Sequence, residues 1–253
     1  MIAEEQGRGQ FGIIHRCVET SSERTYIFDK VRGADQAFIK KEIATLKLAR
    51  PNNFLCLHES FDSTEELVKT SLNASAQPTE LNECEITNYI RQVCEALEFL
   101  HNKSFGHVDI RPENIVYTIR KGSKVKIIEL GQARHLTPGD QINITLHFSH
   151  LADKLSSAPE IHQNDMVSSV TDMWPVGVLV YVLLSGLNPF TAETHQQMID
   201  NISNAEYSYD DETFKVPTVE ALDFINCLLT KECKHRMTAA QASERPWLKM
   251  PAE

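Results

Sequence analysis

The spacing of apolar residues changes character near residue 70, and this change limits the folds open to the chain. Before it, short runs rich in Ile, Val, Tyr and Phe alternate with polar stretches, which is typical of β-strands joined by hairpins. One segment, residues 35–49, instead has Ile39, Ile43 and Leu46 at helical spacing and predicts a helix. The predicted strands are residues 11–18, 25–31, 54–61 and 65–69.

The chain after residue 80 is predicted to be mostly helical. Apolar residues recur at intervals of four and three over residues 86–100, which predicts one long helix with a buried stripe. Asn82, with Glu85 after it, supplies a capping pair for its start. Residues 176–184 are apolar on every side, so their helix is expected at the centre of the core, with Pro175 in its first turn. The other predicted helices are residues 218–229 and a segment from 238 onward.

Strands at one end of the chain and helices at the other predict an α+β fold. We expect one unit over residues 1–253, with a small strand-rich lobe over 1–69 and a larger helical lobe over 81–250. The small, polar residues 70–80 have no periodicity and are expected to form an irregular link. Because the strands do not alternate with helices, a dinucleotide-binding parallel sheet is not favoured.

Charge and composition exclude several classes of function. Lys and Arg total 25 against 35 Asp and Glu, so a nucleic-acid partner is not expected, since such binding relies on basic groups. The longest apolar run, residues 176–184, is too short to span a bilayer, and the N-terminal residues lack a secretory pattern. Six cysteines without a close pair favour reduced thiols in a cytoplasmic protein over a disulfide framework or a zinc site.

The first candidate site is a glycine-rich segment containing Gly7, Gly9, Phe11 and Gly12, with Ile14 further on. Glycines at this spacing let backbone amides approach phosphate oxygens without obstruction by a Cβ atom. Because the segment lies between two strands, it favours a flap over a triphosphate rather than the strand-to-helix turn of a dinucleotide site. A glycine-rich hairpin without a ligand is the alternative interpretation.

The second candidate site is the polar segment 107–114, His-Val-Asp-Ile-Arg-Pro-Glu-Asn. Asp109 followed by Asn114 suits phosphoryl transfer to a hydroxyl, because the carboxylate orients the attacking group and the amide oxygen holds a metal. Arg111 adds positive charge near the transferred group. A polar loop after a helix is the alternative interpretation.

These motifs occur in the order of a eukaryotic protein kinase domain, and the chain resembles that family over nearly its whole length. Residues 107–114 and 172–190 are most similar to the titin and myosin light chain kinase-like branch of the Ser/Thr kinases. The other matching positions are Glu42, Glu129, residues 158–160, residues 172–174 and Arg236.

The resemblance implies a bilobal fold that transfers the γ-phosphoryl group of ATP, bound with Mg²⁺, to a protein hydroxyl. By this resemblance Asp109 is the catalytic base, and Asn114 and Glu129 are metal ligands. Asp172 would hold the backbone of the catalytic loop. Glu160 and Arg236 would form a buried ion pair. The residues that the resemblance assigns to ATP binding are Gly7, Gly9, Phe11, Gly12, Ile14, Lys30 and Glu42.

The strand predicted over residues 25–31 departs from the family pattern at the lysine that contacts phosphate. It lacks the expected Ala-x-Lys, and Lys30 is the nearest substitute. Phe28 stands two residues earlier, so strand alternation places it on the same face, where a bulky ring would meet adenine. A solvated lysine at the strand end is the alternative interpretation of Lys30.

Other departures concern metal binding and regulation. Glu129 carries one more methylene than the aspartate usual at this position, which moves its oxygens relative to Mg²⁺. Val108 replaces the arginine that usually pairs with a phosphorylated activation loop, so switching by such a phosphate is not expected. Ser156 and Ser157 stand where the resemblance suggests an inhibitory tyrosine, so this inhibition is not expected either.

Two functions of different classes follow, and the sequence leaves both open. The first is a titin-like Ser/Thr protein kinase of low activity. The second is a pseudokinase scaffold with the same fold and an impaired nucleotide site, which binds sarcomeric partners. The resemblance implies a protein substrate or partner, no nucleic acid or membrane, a cytoplasmic and sarcomeric location, and a larger multidomain chain.

Overall fold

Contacts in the computed structural model divide the chain into two compact units. One comprises Met1–Gln77 with Ile115–Ala133, and the other comprises Pro78–Asn114 with Arg134–Glu253. The lobe boundaries expected from chain order alone stay a prediction. The structure describes residues 3–8, 12–18, 25–32, 44, 54, 57–62, 66–72, 81–118, 124–128, 130–136, 156–163, 165–209, 214 and 217–250.

The first unit contains a five-stranded antiparallel sheet with the strand order β1-β2-β3-β5-β4. Strands β2 and β3 confirm the two strands predicted over residues 11–18 and 25–31, and β1 precedes them. The predicted helix over 35–49 lies outside the described residues except for Ala44, which is helical. The strands are β1 (Ala3–Arg8), β2 (Gly12–Val18), β3 (Thr25–Arg32), β4 (Leu57–Asp62) and β5 (Glu66–Leu72).

Strand β5 is longer than the sequence predicted, because it runs to Leu72 instead of ending at residue 69. It lies between β3 and β4 and pairs with both, so that Thr70 stands opposite Phe28 on one side and Glu59 on the other. Backbone pairing on both edges holds Thr70 and Ser71 in the sheet, although these small polar residues favour a loop.

A two-stranded hairpin of β7 (Ile115–Thr118) and β8 (Lys124–Ile127) completes the described part of this unit. Phe54, predicted as the start of a strand, instead forms an isolated parallel bridge with Ile127, while β4 begins at Leu57. The Lys126 ammonium donates a hydrogen bond to the Phe54 carbonyl at 3.0 Å. The sequence did not predict this hairpin.

The second unit is built on a long helix, α1 (Glu83–His101), which confirms the predicted buried stripe. Asn82 accepts from the Glu85 N–H, and the Glu85 carboxylate accepts from the Asn82 N–H, each at 2.9 Å. This reciprocal pair is the capping box expected from the sequence, and it satisfies two backbone donors at the start of the helix.

Helix α3 (Met173–Ser185) lies at the centre of the second unit, as its apolar character predicted. Pro175 is in its first turn, where no intrahelical donor is lost. The Trp174 ring is fully buried and stacks on Phe190 with centroids 5.3 Å apart. The other helices are α2 (Pro159–His162), α4 (His195–Asn204), α5 (Val219–Leu228) and α6 (Ala239–Ser243).

The two units together confirm the predicted α+β class, with the described helices confined to the second unit apart from Ala44 and short 3₁₀ turns. Within the part of the chain that the structure describes, no helix has the length and apolar character needed to cross a bilayer. Among the described residues, Cys84, Cys94, Cys227 and Cys233 form no disulfide bonds.

Candidate active site

The segment 107–114 forms a loop between a short strand, β6 (Phe105–Gly106), and a 3₁₀ turn over Pro112–Asn114. Strand β6 pairs with β9 (Arg134–His135), which fixes the start of the loop. Val108 has a φ of +64°, in the left-handed region that β-branched residues avoid. The loop therefore needs contacts from elsewhere in the unit to hold this conformation.

Asp172, just before α3, supplies those contacts. One carboxylate oxygen, Oδ1, accepts from the Val108 N–H at 2.7 Å, and Oδ2 accepts from the His107 N–H at 2.8 Å. The imidazole Nε2 of His101 lies 2.9 Å from the same Oδ2. The expected role of Asp172 in holding the loop backbone is confirmed. His101 was missed, and no local signal links it to a residue so distant in the chain.

The Asp172 carboxylate is 1% exposed, so its charge depends on these partners. Burial alone would raise the pKa of Asp172. The hydrogen bond and charge of His101, with the charge and backbone N–H of His107, outweigh burial and hold this pKa below its ordinary value. The carboxylate therefore stays ionised and accepts all three hydrogen bonds.

The three predicted catalytic residues lie together at the end of this loop. Asn114 donates through Nδ2 to the Asp109 backbone oxygen at 2.8 Å and to the Asp109 carboxylate at 3.1 Å. The Asp109 N–H donates to the ring of His107 at 3.2 Å. Arg111 Nε lies 3.8 Å from the other carboxylate oxygen of Asp109, an ion pair without a hydrogen bond. Their catalytic roles stay a prediction.

The donor chemistry of Asn114 suits a magnesium ion. Its Nδ2 is engaged by Asp109, which leaves the amide oxygen, a hard ligand of the kind Mg²⁺ prefers, as the atom that would contact the metal. Glu129, the second predicted metal ligand, lies outside the described residues. In the described parts of the chain, no three His, Cys, Asp or Glu residues are grouped as a metal site.

A small pocket that is open to solvent lies beside Asp109. Its walls come from the loop over residues 107–111, from the segment that leads into α2, and from the start of α3. Half of the lining residues are aliphatic, and the others are two aspartates and the hydroxyl-bearing residues Ser156, Ser157 and Thr171. The lining residues are Val108, Asp109, Ile110, Ser156, Ser157, Ala158, Ile161, Thr171, Asp172 and Pro175.

The segment that leads into α2 is fixed by the predicted ion pair between Glu160 and Arg236, which the structure confirms. The two guanidinium nitrogens Nη1 and Nη2 donate to the two carboxylate oxygens at 2.7 and 3.0 Å. The same guanidinium also donates to the carbonyls of Thr230, Val170 and Lys231. All five N–H donors of the arginine thus face acceptors in one buried site.

Burial and charge shift two pKa values at this ion pair. Burial alone would raise the pKa of Glu160, but the hydrogen bonds and charge of Arg236 outweigh it and lower this pKa. The neighbouring Cys233 thiol has a pKa raised to about 12, first by burial and then by the Glu160 charge. The carboxylate therefore stays ionised, and the thiol stays protonated.

The predicted nucleotide-binding residues belong to the first unit. Gly7 lies in β1, Gly12 begins β2, and these antiparallel strands confirm that the glycine-rich segment joins two strands. Ile14 lies in β2, and Lys30 lies in β3 opposite Val68. The predicted site residues outside the described residues are Gly9, Phe11, Glu42 and Glu129. Nucleotide binding by these residues stays a prediction.

The family model described as protein kinase domain matches residues 2–248. The chain therefore belongs to the protein kinase domain family.

Solved structures and curated proteins confirm the resemblance to the titin and myosin light chain kinase-like branch. The autoinhibited serine kinase domain of the giant muscle protein titin is 54% identical, with a TM-score of 0.88, over 100% of this chain and 80% of that chain. Titin kinase with its flanking domains is 55% identical, with a TM-score of 0.89, and the match covers 100% of this chain and 47% of that chain. Myosin light chain kinase 3 of Danio rerio is 34% identical over 97% of this chain. The match spans 35% of that relative, so this chain covers about a third of its length.

Proposed function

We propose that this domain is a Ser/Thr protein kinase that transfers the γ-phosphoryl group of ATP to a protein hydroxyl, with low activity. The observation that carries the proposal is the grouping of Asp109, Arg111 and Asn114 on one loop, held by Asp172. Phosphoryl transfer depends mainly on positioning and electrostatic stabilisation, and this loop supplies a positioned carboxylate, a cation and an amide.

Asp109 acts as the base for the acceptor hydroxyl. The hydroxyl oxygen attacks the γ-phosphorus, the bond to the leaving β-phosphate oxygen breaks, and the hydroxyl proton passes to the Asp109 carboxylate. The two hydrogen bonds from Asn114 fix this carboxylate and its backbone. The pocket beside Asp109 receives the side chain that neighbours the acceptor residue.

ATP with Mg²⁺ supplies the phosphoryl group and neutralises its charge when bound. Asn114 would hold the metal through its amide oxygen, and Glu129 is the second proposed metal ligand. Arg111 places positive charge beside Asp109, within reach of the transferred group. The residues proposed to contact the nucleotide are Gly7, Gly9, Phe11, Gly12, Ile14, Lys30 and Glu42.

A second candidate is a pseudokinase scaffold that binds sarcomeric partners. The observation that favours it is the sequence of β3, which carries Lys30 but no Ala-x-Lys. Low activity follows from the same feature, and from Glu129 in place of an aspartate. In either case we propose that the domain acts in the sarcomere within a larger chain, since titin is a giant muscle protein whose kinase has flanking domains.

Thermal unfolding with and without Mg·ATP separates the two candidates. Nucleotide at about a hundred times its dissociation constant adds about 2.7 kcal/mol to the free energy of unfolding, which raises the Tm by roughly 5–10 °C. No change in Tm with nucleotide and metal would contradict the kinase proposal and support the scaffold.

Transfer from labelled ATP to a degenerate peptide library with a central serine then tests the base. The Asp109→Asn variant is expected to keep the Tm shift and to lose at least roughly 100-fold in rate, the usual contribution of a general base. Asp165→Asn, at an exposed aspartate, is the matched control and is expected to transfer like the parent. Transfer that survives Asp109→Asn would show that another residue is the base.

A further inference from the structure

The imidazole of His107 is buried in the loop that carries Asp109, and the mechanism proposed for Asp109 gives this ring no role. His107 is inaccessible to solvent. The Asp109 backbone N–H donates to the Nδ1 atom of the ring at 3.2 Å. Because a backbone amide can only donate, Nδ1 is the acceptor and carries no proton. The proton of the neutral ring is then on Nε2.

This contact completes a row of three successive backbone donors, each of which is accepted by a side chain. The Asp172 carboxylate accepts the N–H groups of His107 and Val108 at 2.8 and 2.7 Å. The third N–H, that of Asp109, is accepted by the ring of His107. Asp109 is buried, so an acceptor inside the protein stabilises its N–H. The hold of Asp172 on the loop thus extends through His107 to Asp109.

The hydrogen bond closes a turn across Val108, whose φ is +64°. A side-chain acceptor that is bonded to Cγ and accepts the N–H two residues further on forms the same kind of closed turn as the Asx turn of Asn and Asp. Relaxation of Val108 to an extended backbone would carry the Asp109 N–H away from the ring. The contact therefore helps to impose the unfavourable φ of Val108.

We propose that His107 is a positioning residue for Asp109: its neutral imidazole, with the proton on Nε2, fixes the backbone from which the catalytic carboxylate projects. The inference rests on the proposed function, in which Asp109 is the base for the acceptor hydroxyl. His107 acts through Asp109 and not on the reacting atoms. Asn114 holds the same residue through other atoms, the backbone oxygen and the carboxylate of Asp109.

A protonated ring could not make this contact. It would carry a hydrogen on Nδ1 directed at the Asp109 N–H, and two donors that face each other in a buried site are costly. The Asp172 carboxylate would favour such a proton, but its oxygens already accept from two backbone N–H groups and lie beside Nε2 of His101. The charge of His107 that lowers the pKa of Asp172 counts in acid, where Asp172 itself titrates.

Loss of the contact is expected to slow transfer more than it weakens nucleotide binding. The base must lie within hydrogen-bond distance of the acceptor hydroxyl, and a displacement of about 1 Å costs up to about 100-fold in rate. The residues proposed to contact the nucleotide belong to the first unit, whereas His107 belongs to the second. A lower kcat with an unchanged KM for ATP is therefore the expected result.

Proton–nitrogen correlation spectra of the full chain with isotope-labelled histidine test the tautomer without relying on catalysis. The signals of His107 are those missing from both His107→Phe and His107→Asn. At pH about 7.5 they are expected to show a protonated Nε2 and an unprotonated Nδ1. A proton on Nδ1, in the other neutral tautomer or in an imidazolium, would overturn the proposal.

The two variants then separate the acceptor from the ring. His107→Phe keeps a planar ring but places a C–H group at the position of Nδ1. His107→Asn loses the ring but keeps an acceptor, Oδ1, which is bonded to Cγ as Nδ1 is. With the degenerate serine peptide library, His107→Phe is expected to lose about tenfold in kcat, with the KM for ATP within about twofold of the parent. His107→Asn is expected to stay within about threefold of the parent in kcat, because Oδ1 closes the same turn.

Hydrogen exchange over residues 107–111 measures the contact in the same variants. Exchange is expected to be about fivefold faster in His107→Phe than in His107→Asn, the equivalent of one hydrogen bond. His235→Asn, at an exposed histidine in another turn of the second unit, is the control and is expected to follow the parent in kcat and exchange.

Equal kcat values for His107→Phe and His107→Asn would show that the acceptor on the ring does not position Asp109. If either variant does not fold, the spectra of the parent still decide whether Nδ1 is the acceptor. If the parent transfers no phosphoryl group, the proposed kinase function fails, whereas the spectra and the exchange rates still decide whether His107 holds the Asp109 N–H.

Discussion

The carboxylate of Asp172 accepts the N–H of Val108 at 2.7 Å, and Val108 is held at a φ of +64°. A β-branched residue in the left-handed region costs roughly 1–3 kcal/mol and persists only where its surroundings impose it. The loop that carries Asp109 is therefore held in shape by a buried carboxylate that follows it by more than sixty residues in the chain. Loss of that carboxylate is expected to affect folding and catalysis together.

Asp172→Asn is expected to lower the free energy of unfolding by about 3 kcal/mol, because hydrogen bonds to a buried carboxylate are lost. One oxygen of the asparagine replaces one acceptor, but its NH₂ group then faces a backbone N–H. The loss is measured by urea denaturation, with phosphoryl transfer assayed on the folded fraction. Asp200→Asn, on the exposed face of α4, is the control and is expected to change stability by less than about 0.5 kcal/mol. Equal stability of the two variants would contradict this role of Asp172.

Acid is expected to destabilise the second unit through two carboxylates. Asp172 and Glu160 both have a pKa below the ordinary value in the folded protein. As pH falls, these two carboxylates therefore take up protons in the unfolded chain before they do so in the folded protein. Their stabilising contribution is complete above the ordinary carboxyl values of 3.8 and 4.5 and is lost as pH falls through the lowered values. The urea midpoint, measured from pH about 6 downward, is expected to fall most steeply below pH about 4.5. In Asp172→Asn this slope is expected to be smaller, and an unchanged slope would contradict the assignment.

Local sequence patterns predicted the parts of the fold whose signals lie within a few residues. Asn82 and Glu85 stand three apart, and the structure forms their capping box. The stripe over residues 86–100 has the helical period of a buried face, and α1 buries it. The residue types in segment 107–114 likewise indicated a candidate site, and the structure groups Asp109, Arg111 and Asn114 there, while their catalytic roles stay a prediction. In each case the residues that determine the structure are neighbours along the chain.

The parts that the sequence did not predict depend on pairing between distant segments. Thr70 and Ser71 are small and polar, and pairing with both neighbouring strands keeps them extended. The hairpin of β7 and β8 is different, because Lys124–Ile127 in β8 alternates polar and apolar residues, and this local signal of a strand was missed. His101 reaches Asp172 across more than seventy residues, and nothing near either residue indicates the contact. Contacts between residues so far apart in the chain form only in the folded protein, so the periodicity of the sequence does not predict them.

Gly177→Ala is expected to destabilise the protein even though alanine is the better helix former. A Cβ atom at Gly177, in the interior of α3, would lie 2.9 Å from the Cβ of Leu228 and 2.9 Å from Cδ2 of Leu229. The gain in helix propensity is about 1 kcal/mol, whereas overpacking of a tight core costs about 1–3 kcal/mol. Because one close atom is a Cβ that cannot rotate away, a net loss of about 1 kcal/mol is expected in urea denaturation. If Gly177→Ala were more stable than the parent, this would show that α5 moves easily to make room for the added Cβ atom.

Arg236→Ala is expected to cost about 3–5 kcal/mol of the free energy of unfolding, since it leaves the buried Glu160 carboxylate without its partner. Arg236→Lys is expected to recover less than half of this loss, because one ammonium cannot reproduce the paired hydrogen bonds to both oxygens. The same chain offers an exposed ion pair, Glu244 with Lys249, whose side chains are 75% and 56% exposed. Lys249→Ala is expected to change the urea midpoint by less than the equivalent of about 0.5 kcal/mol, because water screens that pair. Similar losses for Arg236→Ala and Lys249→Ala would show that burial does not set the strength of the Glu160 pair.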